Sequence, residues 1–209
     1  MNRLFLKFVF LFAILAFAVN SCIIVKEKDE YVDVAPSVSL SPRPEIQMSE
    51  TIIRSEKGDM ISNIPEGWFF VDVEDRVSPD VIAVAVNPDY TLSCLFTVIK
   101  QNEKITQTAQ KEGLMGLARA GFSRHDVKTA GAVKLSGKYR QIDMGSKQFV
   151  EYEYSTTAGG LPAKSAVFIS TIGEYYEFSL IPMSVSGKEL PSPDEMNRVF
   201  RSILASIQY

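Results

Sequence analysis

The alternation of hydrophobic and polar positions predicts a set of strands between residues 51 and 209. The apolar run Val81–Val86 ends at the turn formers Asn87-Pro88-Asp89, which indicates a central strand, and residues 91–100 alternate and are predicted to pair back on it as a hairpin. In Lys147–Thr156, alternate residues share an apolar face, which is typical of a half-buried antiparallel strand. Further strands are predicted over 51–54, 60–64, 69–73, 132–140, 164–171 and 174–181.

Two segments change to the helical period. Residues 106–120 carry one modest apolar face, which Gly113 and Gly116 weaken by about 1 kcal/mol each relative to alanine. These glycines indicate either close packing of the helix on the sheet or flexibility. A second helix begins at the capping box Ser192-Pro193-Asp194-Glu195. Its core-facing stripe consists of Met196, Val199, Phe200, Ile203, Leu204 and Ile207.

This order of elements predicts an α+β fold. A run of strands, a helix, a second run of strands and a closing helix are expected to form a single antiparallel β-sheet covered by helices, in one domain over residues 51–209.

The N-terminal segment predicts where the protein is located. Residues 1–21 contain a short basic front, an apolar run and a small-residue ending, which together indicate a secretory signal. Because Cys22 follows directly, the segment resembles the signal of bacterial lipoproteins, in which this cysteine receives acyl chains such as palmitate. Two alternatives remain: an uncleaved N-terminal anchor, and an ordinary secretory signal with a chance cysteine.

The resemblance implies a lipid-anchored protein of the bacterial cell envelope. Residue 23 is isoleucine and not the aspartate that commonly retains such proteins in the inner membrane, which favours the outer membrane, facing the periplasm. Residues 22–50 are rich in serine and proline after a charged stretch and show neither helical nor strand period, so the lipidated cysteine is expected to be followed by a flexible tether.

Charge and composition exclude several functions. The whole chain has a net charge of −3, and loss of Arg3 and Lys7 with the signal makes the mature chain more acidic, so nucleic acid is not an expected partner. Cys94 lies on the apolar face of a predicted strand and is expected to be a small buried hydrophobe and not a reactive thiol. With one histidine, His125, and one cysteine besides Cys22, no metal site and no cofactor is predicted.

A family resemblance rests on Ile64-Pro65-Glu66-Gly67-Trp68, on the later Gly173-Glu174-Tyr175-Tyr176-Glu177-Phe178 and on the order of elements over residues 58–209. Together they resemble the PsbP-like α/β/α sandwich, which includes the DcrB-type bacterial envelope lipoproteins. The resemblance implies a non-catalytic binding or assembly protein. It carries over no functional residues, because this fold has no shared active site.

Candidate functional residues are few. His125 is predicted to be an exposed loop histidine, and no catalytic residues are expected, so the chain is predicted not to be an enzyme. The aromatic side chains are either core or an exposed partner patch. The residues concerned are Trp68, Phe69, Tyr152, Tyr154, Tyr175 and Tyr176.

Two functional hypotheses follow. The first is a membrane-tethered module that binds an envelope protein, motivated by the anchor, the tether and the absence of a catalytic motif. The second is a carrier or sensor of a small apolar ligand, held in a gap between the sheet and the weak middle helix. An exposed aromatic patch beside a filled core favours the first, and a deep apolar cavity favours the second.

Overall fold

The structure, a computed structural model, describes residues 33–72, 78–156 and 160–209, and the predicted signal and Cys22 lie outside this part. The described chain contains eleven strands and two helices. The strands are β1 (Val34–Ser39), β2 (Met48–Arg54), β3 (Ile61–Pro65), β4 (Phe69–Phe70), β5 (Val81–Val86), β6 (Leu92–Val98), β7 (Val133–Leu135), β8 (Tyr139–Met144), β9 (Lys147–Thr156), β10 (Ala163–Ile169) and β11 (Tyr175–Pro182). The helices are α1 (Glu103–Lys128) and α2 (Pro193–Ser206).

Nine of these strands form one sheet in the order β1-β8-β9-β10-β11-β6-β5-β4, with β7 beside β9, and β2 and β3 form a separate two-stranded sheet. Every pairing is antiparallel except that of β1 with β8. The predicted hairpin of residues 81–100 is confirmed, because Val86 pairs with Ser93 and Ala85 with Cys94.

The prediction of a flexible tether is wrong for residues 33–50. They belong to a compact unit that runs from Asp33 to Tyr209, and β1 pairs in parallel with β8. Pro36 is tolerated because β1 is an edge strand and its register shifts between Ala35 and Val38, where no N–H is needed. The backbone N–H of Glu45 also donates to Ser202 Oγ at 2.9 Å. The scattered hydrophobic residues of this segment therefore cover the core, and the folded domain begins before residue 51.

Helix α1 is longer than predicted and contains a sharp break. Asn102 caps its N-terminus by accepting a hydrogen bond from the Ile105 N–H at 2.9 Å. Gly113 has φ 62° and ψ −146°, which a residue with a side chain adopts only under strain, so the helix consists of two arms. A Cβ on Gly116 would lie 2.8 Å from Thr108 Cγ2, which means that the absence of a side chain lets the two arms pack together.

Helix α2 confirms the second helix prediction. Ser192 Oγ accepts a hydrogen bond from the Glu195 N–H at 3.2 Å, and Pro193 occupies the first turn. Phe200 is 1 % exposed and stacks on Phe178 of β11, with ring centroids 5.3 Å apart. Burial of such a side chain contributes about 1.5–3 kcal/mol. The other residues of its predicted stripe that are buried are Met196, Ile203, Leu204 and Ile207.

The main sheet has a hydrophobic core on each face. One core joins α2 and the β2–β3 hairpin to the sheet through Phe96, Phe168 and Phe178. The other joins α1 to the opposite face through Tyr152 and Val167. A sheet covered on both faces buries both sets of alternating side chains in its central strands. The predicted α+β fold class, an α/β/α sandwich, is confirmed, with a parallel β1–β8 pair and a second small sheet in addition.

Candidate functional site

The six aromatic residues predicted as a possible partner patch do not lie on one surface. Four of them are buried core residues, so the prediction of an exposed patch is wrong for Tyr152, Tyr154, Tyr175 and Tyr176. The first three face α1, and Tyr176 belongs to the core under α2. The physical reason is that β9 and β11 are inner strands with a layer on each face.

The tyrosine hydroxyls have internal partners. The Tyr152 hydroxyl donates a hydrogen bond to Glu177 Oε1, and the Tyr176 hydroxyl donates to Asp59 Oδ1 at 2.6 Å. Burial, together with the hydrogen bond to the Asp59 carboxylate, raises the pKa of Tyr176 to about 12. These side chains therefore hold elements together and do not present a surface to a partner.

Trp68 and Phe69 do lie at the surface, at the β4 end of the sheet. Phe69 and Phe70 are 38 % and 39 % exposed, and Tyr90, in the turn between β5 and β6, is 54 % exposed. The rings of Phe69 and Tyr90 meet edge to face with centroids 5.4 Å apart. Val71 is also exposed. We call Trp68, Phe69, Phe70, Val71 and Tyr90 the β4 aromatic surface. Sequence reasoning missed Phe70 and Tyr90.

Two turns build this surface. At the first, Gly67 has φ 78°, which favours glycine, and the Trp68 N–H donates to the Pro65 carbonyl at 3.2 Å. At the second, Tyr90 has φ 58° although it is not glycine. Asn87 fixes this turn, because its Oδ1 accepts from the Thr91 N–H at 2.8 Å and its carbonyl accepts from the Tyr90 N–H at 3.0 Å. An aromatic residue held in the left-handed region and turned to solvent is a reason to look for function.

A cleft of about 460 Å³ adjoins the β4 aromatic surface. Trp68 lines it together with Leu190, which is 38 % exposed. Its charged lining consists of one cation, Lys188, and three carboxylates, and Lys188 Nζ pairs with Asp89 Oδ1 at 3.2 Å. The three carboxylates are Asp89, Glu189 and Glu195. The aromatic side chains and the excess negative charge therefore meet at one place on the described chain.

His125 is not an exposed loop residue, as the sequence predicted, but part of α1. Its Nε2 lies 2.8 Å from Glu177 Oε1, and its ring stacks on Tyr154 with centroids 4.6 Å apart. The loop prediction is wrong because α1 continues past Ala120 to Lys128. In the described residues no hydroxyl or thiol group is hydrogen-bonded to the imidazole ring of His125, and the Thr129 hydroxyl donates to the backbone carbonyl of His125 and not to its ring.

The carboxylate that His125 contacts is fully covered. Glu177 is 2 % exposed, and its Oε2 lies 3.6 Å from Arg124 Nη1. Burial alone raises the pKa of Glu177, but the hydrogen bond and charge of His125, the Tyr152 hydroxyl and the Arg124 guanidinium outweigh it, and the pKa lies below its ordinary value. These contacts tie α1 to β9 and β11.

Gly121 makes the contact possible. A Cβ on Gly121 would lie 2.9 Å from Tyr152 Oη and 3.4 Å from Glu177 Oε1, so only glycine lets the helix backbone approach these groups so closely. The predicted gap between the sheet and the middle helix is therefore closed at this point. A glycine on the apolar face of a predicted helix was the sequence signal for the close approach.

Cys94 is buried, as predicted from its place on an apolar strand face, and its thiol is free in the described chain. Burial raises the pKa of its thiol to about 12. Among the described residues there is no group of histidine, cysteine, aspartate and glutamate side chains that could hold a metal ion. In the same residues, no helix combines the length and the apolar character needed to cross a bilayer.

Comparison with known proteins identifies the fold. No family model matches the chain, and no curated protein sequence matches it. Among solved structures, cyanobacterial PsbP (CyanoP) from Synechocystis sp. PCC 6803 has a TM-score of 0.51 at 18 % identity and covers 76 % of this chain and 92 % of its own. The Ran-binding protein Mog1p from Saccharomyces cerevisiae has a TM-score of 0.45 at 14 % identity, covering 78 % and 96 %. The described chain thus has a PsbP-like α+β fold.

Proposed function

We propose that this protein is a membrane-anchored envelope lipoprotein of the DcrB type, and that its folded domain is a non-catalytic module that binds a protein partner. The β4 aromatic surface carries the proposal. It gathers a half-buried tryptophan with exposed phenylalanine and tyrosine side chains, the residue types that contribute most to protein interfaces.

The adjoining cleft specifies the partner's chemistry. The three carboxylates around a single lysine favour a partner segment that carries basic side chains next to an apolar anchor. Such a segment would place its anchor on Phe69 and Tyr90 and its cations in the cleft. β4 contains only two residues, so side-chain docking has more support than extension of the sheet by an added strand.

The alternative function, a carrier of a small apolar ligand between sheet and helix, has less support. The gap that it requires is closed at Gly121, where α1 touches Tyr152 and Glu177. The core side chains around this contact, including Leu117 and Val167, are completely buried.

The docking proposal is tested by photocrosslinking in cells. A photoreactive phenylalanine analogue is placed at Val71, which shares the strand face of Phe69, or at Tyr90. The control position is Ile172, an exposed hydrophobic residue in the turn between β10 and β11. We expect the same discrete adduct from both surface positions, its loss on Phe69→Ser, and no such adduct from Ile172. Equal crosslinking from Ile172, or adducts unaffected by Phe69→Ser, would contradict the proposal.

The anchor is tested separately, because Cys22 lies outside the described residues. Cells expressing the protein are labelled with an alkyne analogue of palmitate. Cys22→Ser should abolish labelling, whereas the matched variant Cys94→Ser should retain it because that thiol is buried. Labelling that persists in Cys22→Ser would refute acylation at this residue.

A further inference from the structure

The break in α1 creates a groove on the outer side of this helix. The groove has a volume of about 470 Å³ and lies between the two arms that meet at Gly113. One arm contributes Ile105 and Thr108, and the other contributes Ala120 and Val127. Its size is within the range of about 300–1,000 Å³ that is typical of small-molecule sites. The β4 aromatic surface shares no residue with it.

The charged side chains that line the groove have one sign. Its lining contains the four cations Lys104, Arg119, Arg124 and Lys128, and no aspartate or glutamate. Arg119 also pairs with Glu112 at 2.6 Å, outside the lining. Asn102 adds the N-terminal end of α1, where the helix dipole is positive.

Arg124 retains hydrogen-bonding capacity. Its guanidinium lies 3.6 Å from Glu177 Oε2 and 3.9 Å from Asp80 Oδ2, both beyond a normal hydrogen bond. Its Nη1 is buried and has no hydrogen-bond acceptor in the described residues. A carboxylate that entered the groove would be attracted by the charge of the guanidinium, which these two distant carboxylates compensate only in part, and by the charge of the lysines.

The groove also has apolar lining residues, which would contact the uncharged part of a ligand. Val127 is 76 % exposed, the most exposed large hydrophobic residue in the described chain, and Ile105 and Ala120 are partly exposed beside it. A single hydrocarbon chain is long enough to cover these three side chains. Each methylene group that it buries increases the affinity about fourfold.

We propose that this groove binds an anionic amphiphile with one alkyl chain, as a fatty-acid carboxylate is, with the chain on Ile105, Ala120 and Val127 and the carboxylate among the four cations. The proposal is independent of the protein-binding function. It differs from the predicted apolar carrier in its location, outside the sheet–helix contact, and in the charge of its ligand.

The test is equilibrium dialysis of the full chain against radiolabelled decanoate, with a protein-free dialysis as the blank. We expect saturable binding, about 16-fold weaker for octanoate, which has two methylene groups fewer. Decyltrimethylammonium, with the same chain and the opposite charge, should not compete. If decyltrimethylammonium competes as well as unlabelled decanoate does, the four cations do not bind the carboxylate, and that part of the proposal is overturned.

Variants locate the site. Lys104→Glu combined with Lys128→Glu should weaken decanoate binding about tenfold or more, and Ala120→Phe should abolish it by filling the groove. The matched control is Lys111→Glu, an exposed charge reversal on the same helix outside the lining, which should leave the affinity unchanged. Thermal unfolding is measured for each variant, to show that a loss of binding is not a loss of fold.

Three outcomes would overturn the proposal. They are the absence of saturable decanoate binding to the full chain, equal weakening by Lys111→Glu, and binding that Ala120→Phe leaves intact. A glutamate-rich peptide that binds in a Lys104-dependent manner, in a chain that does not bind decanoate, would instead identify the groove as a site for an acidic protein segment. Failure here leaves the crosslinking test of the β4 aromatic surface unaffected.

Discussion

Replacement of Glu177 by glutamine tests whether the buried carboxylate holds α1 to the sheet. The carboxylate accepts from the Tyr152 hydroxyl and from His125 Nε2 at 2.8 Å, and its second oxygen faces Arg124 at 3.6 Å. Glutamine has the same shape, and its amide oxygen takes the place of Oε1 and still accepts from Tyr152 and His125. Its NH₂ then takes the place of Oε2, so that a donor faces the Arg124 guanidinium and the negative charge between these groups is lost. Removal of one partner from a buried ionic group costs about 3–5 kcal/mol.

The effect depends on pH with a defined sign. The pKa of Glu177 is lower in the folded protein than its ordinary value of 4.5. The unfolded state therefore binds more protons as the pH falls through this range, and the stabilisation by Glu177 is complete above it and lost as the pH falls toward the folded pKa. The difference between wild type and Glu177→Gln should accordingly shrink on acidification, because a protonated glutamate resembles glutamine.

The assay is urea denaturation at neutral pH and at about pH 4, followed by circular dichroism. The control is Glu174→Gln, the same substitution three residues earlier, where Glu174 pairs with Lys57, whose side chain is 58 % exposed. Such an exposed pair contributes little to the free energy of unfolding, because solvent screens its charges. The reasoning is refuted if Glu177→Gln destabilises no more than Glu174→Gln does, or if its effect is independent of pH.

Three further predictions concern other parts of the fold. Phe200→Ala should cost about 3–5 kcal/mol in denaturation experiments, because it leaves a cavity between α2 and β11, and a loss below 1 kcal/mol would show that this site collapses freely. Gly113→Ala should destabilise by about 1–3 kcal/mol, since φ there is 62°, whereas stabilisation would mean that the arms of α1 join as one continuous helix. Cys94 should resist iodoacetamide in the native protein, with its pKa raised to about 12, and react on unfolding; rapid native alkylation would contradict its burial.

The fold was predictable where one periodic pattern decided each element. Val81–Val86 and Lys147–Thr156 are observed with the predicted bounds, since an apolar run or an alternation between turn formers indicates a strand. Residues 34–39 were not predictable in this way. They form a strand because β8 lies beside them. Pro36, which has no N–H, occupies a position of this edge strand where no backbone hydrogen bond to β8 is needed. Local composition contains no information about that partner.

The site was less predictable, for a related reason. Glu177 stands between Tyr176 and Phe178, and such a charged residue in a strand ordinarily faces solvent. Its burial follows from α1, whose extension beyond Ala120 has few apolar residues. Arg124 and His125 replace them because they satisfy a buried carboxylate. The polar stretch that follows Gly121 has the pattern of a helix end. Here it continues the helix, and its Arg124 and His125 contact Glu177 of the sheet.

The two proposed surfaces occupy different parts of the main sheet, and this separation determines how they can be tested. Helix α1 packs on β7 to β10, and its Arg124 reaches Asp80 at the start of β5, whereas β4 pairs with Ala85 and Val86 at the other end of that strand. The three strands β11, β6 and β5 separate β10 from β4. Since distant sites without shared partners contribute additively, Phe69→Ser should leave decanoate binding intact, and Ala120→Phe should leave crosslinking at Tyr90 intact. If either variant loses both decanoate binding and crosslinking at Tyr90, the substitution has damaged the fold and does not locate a site.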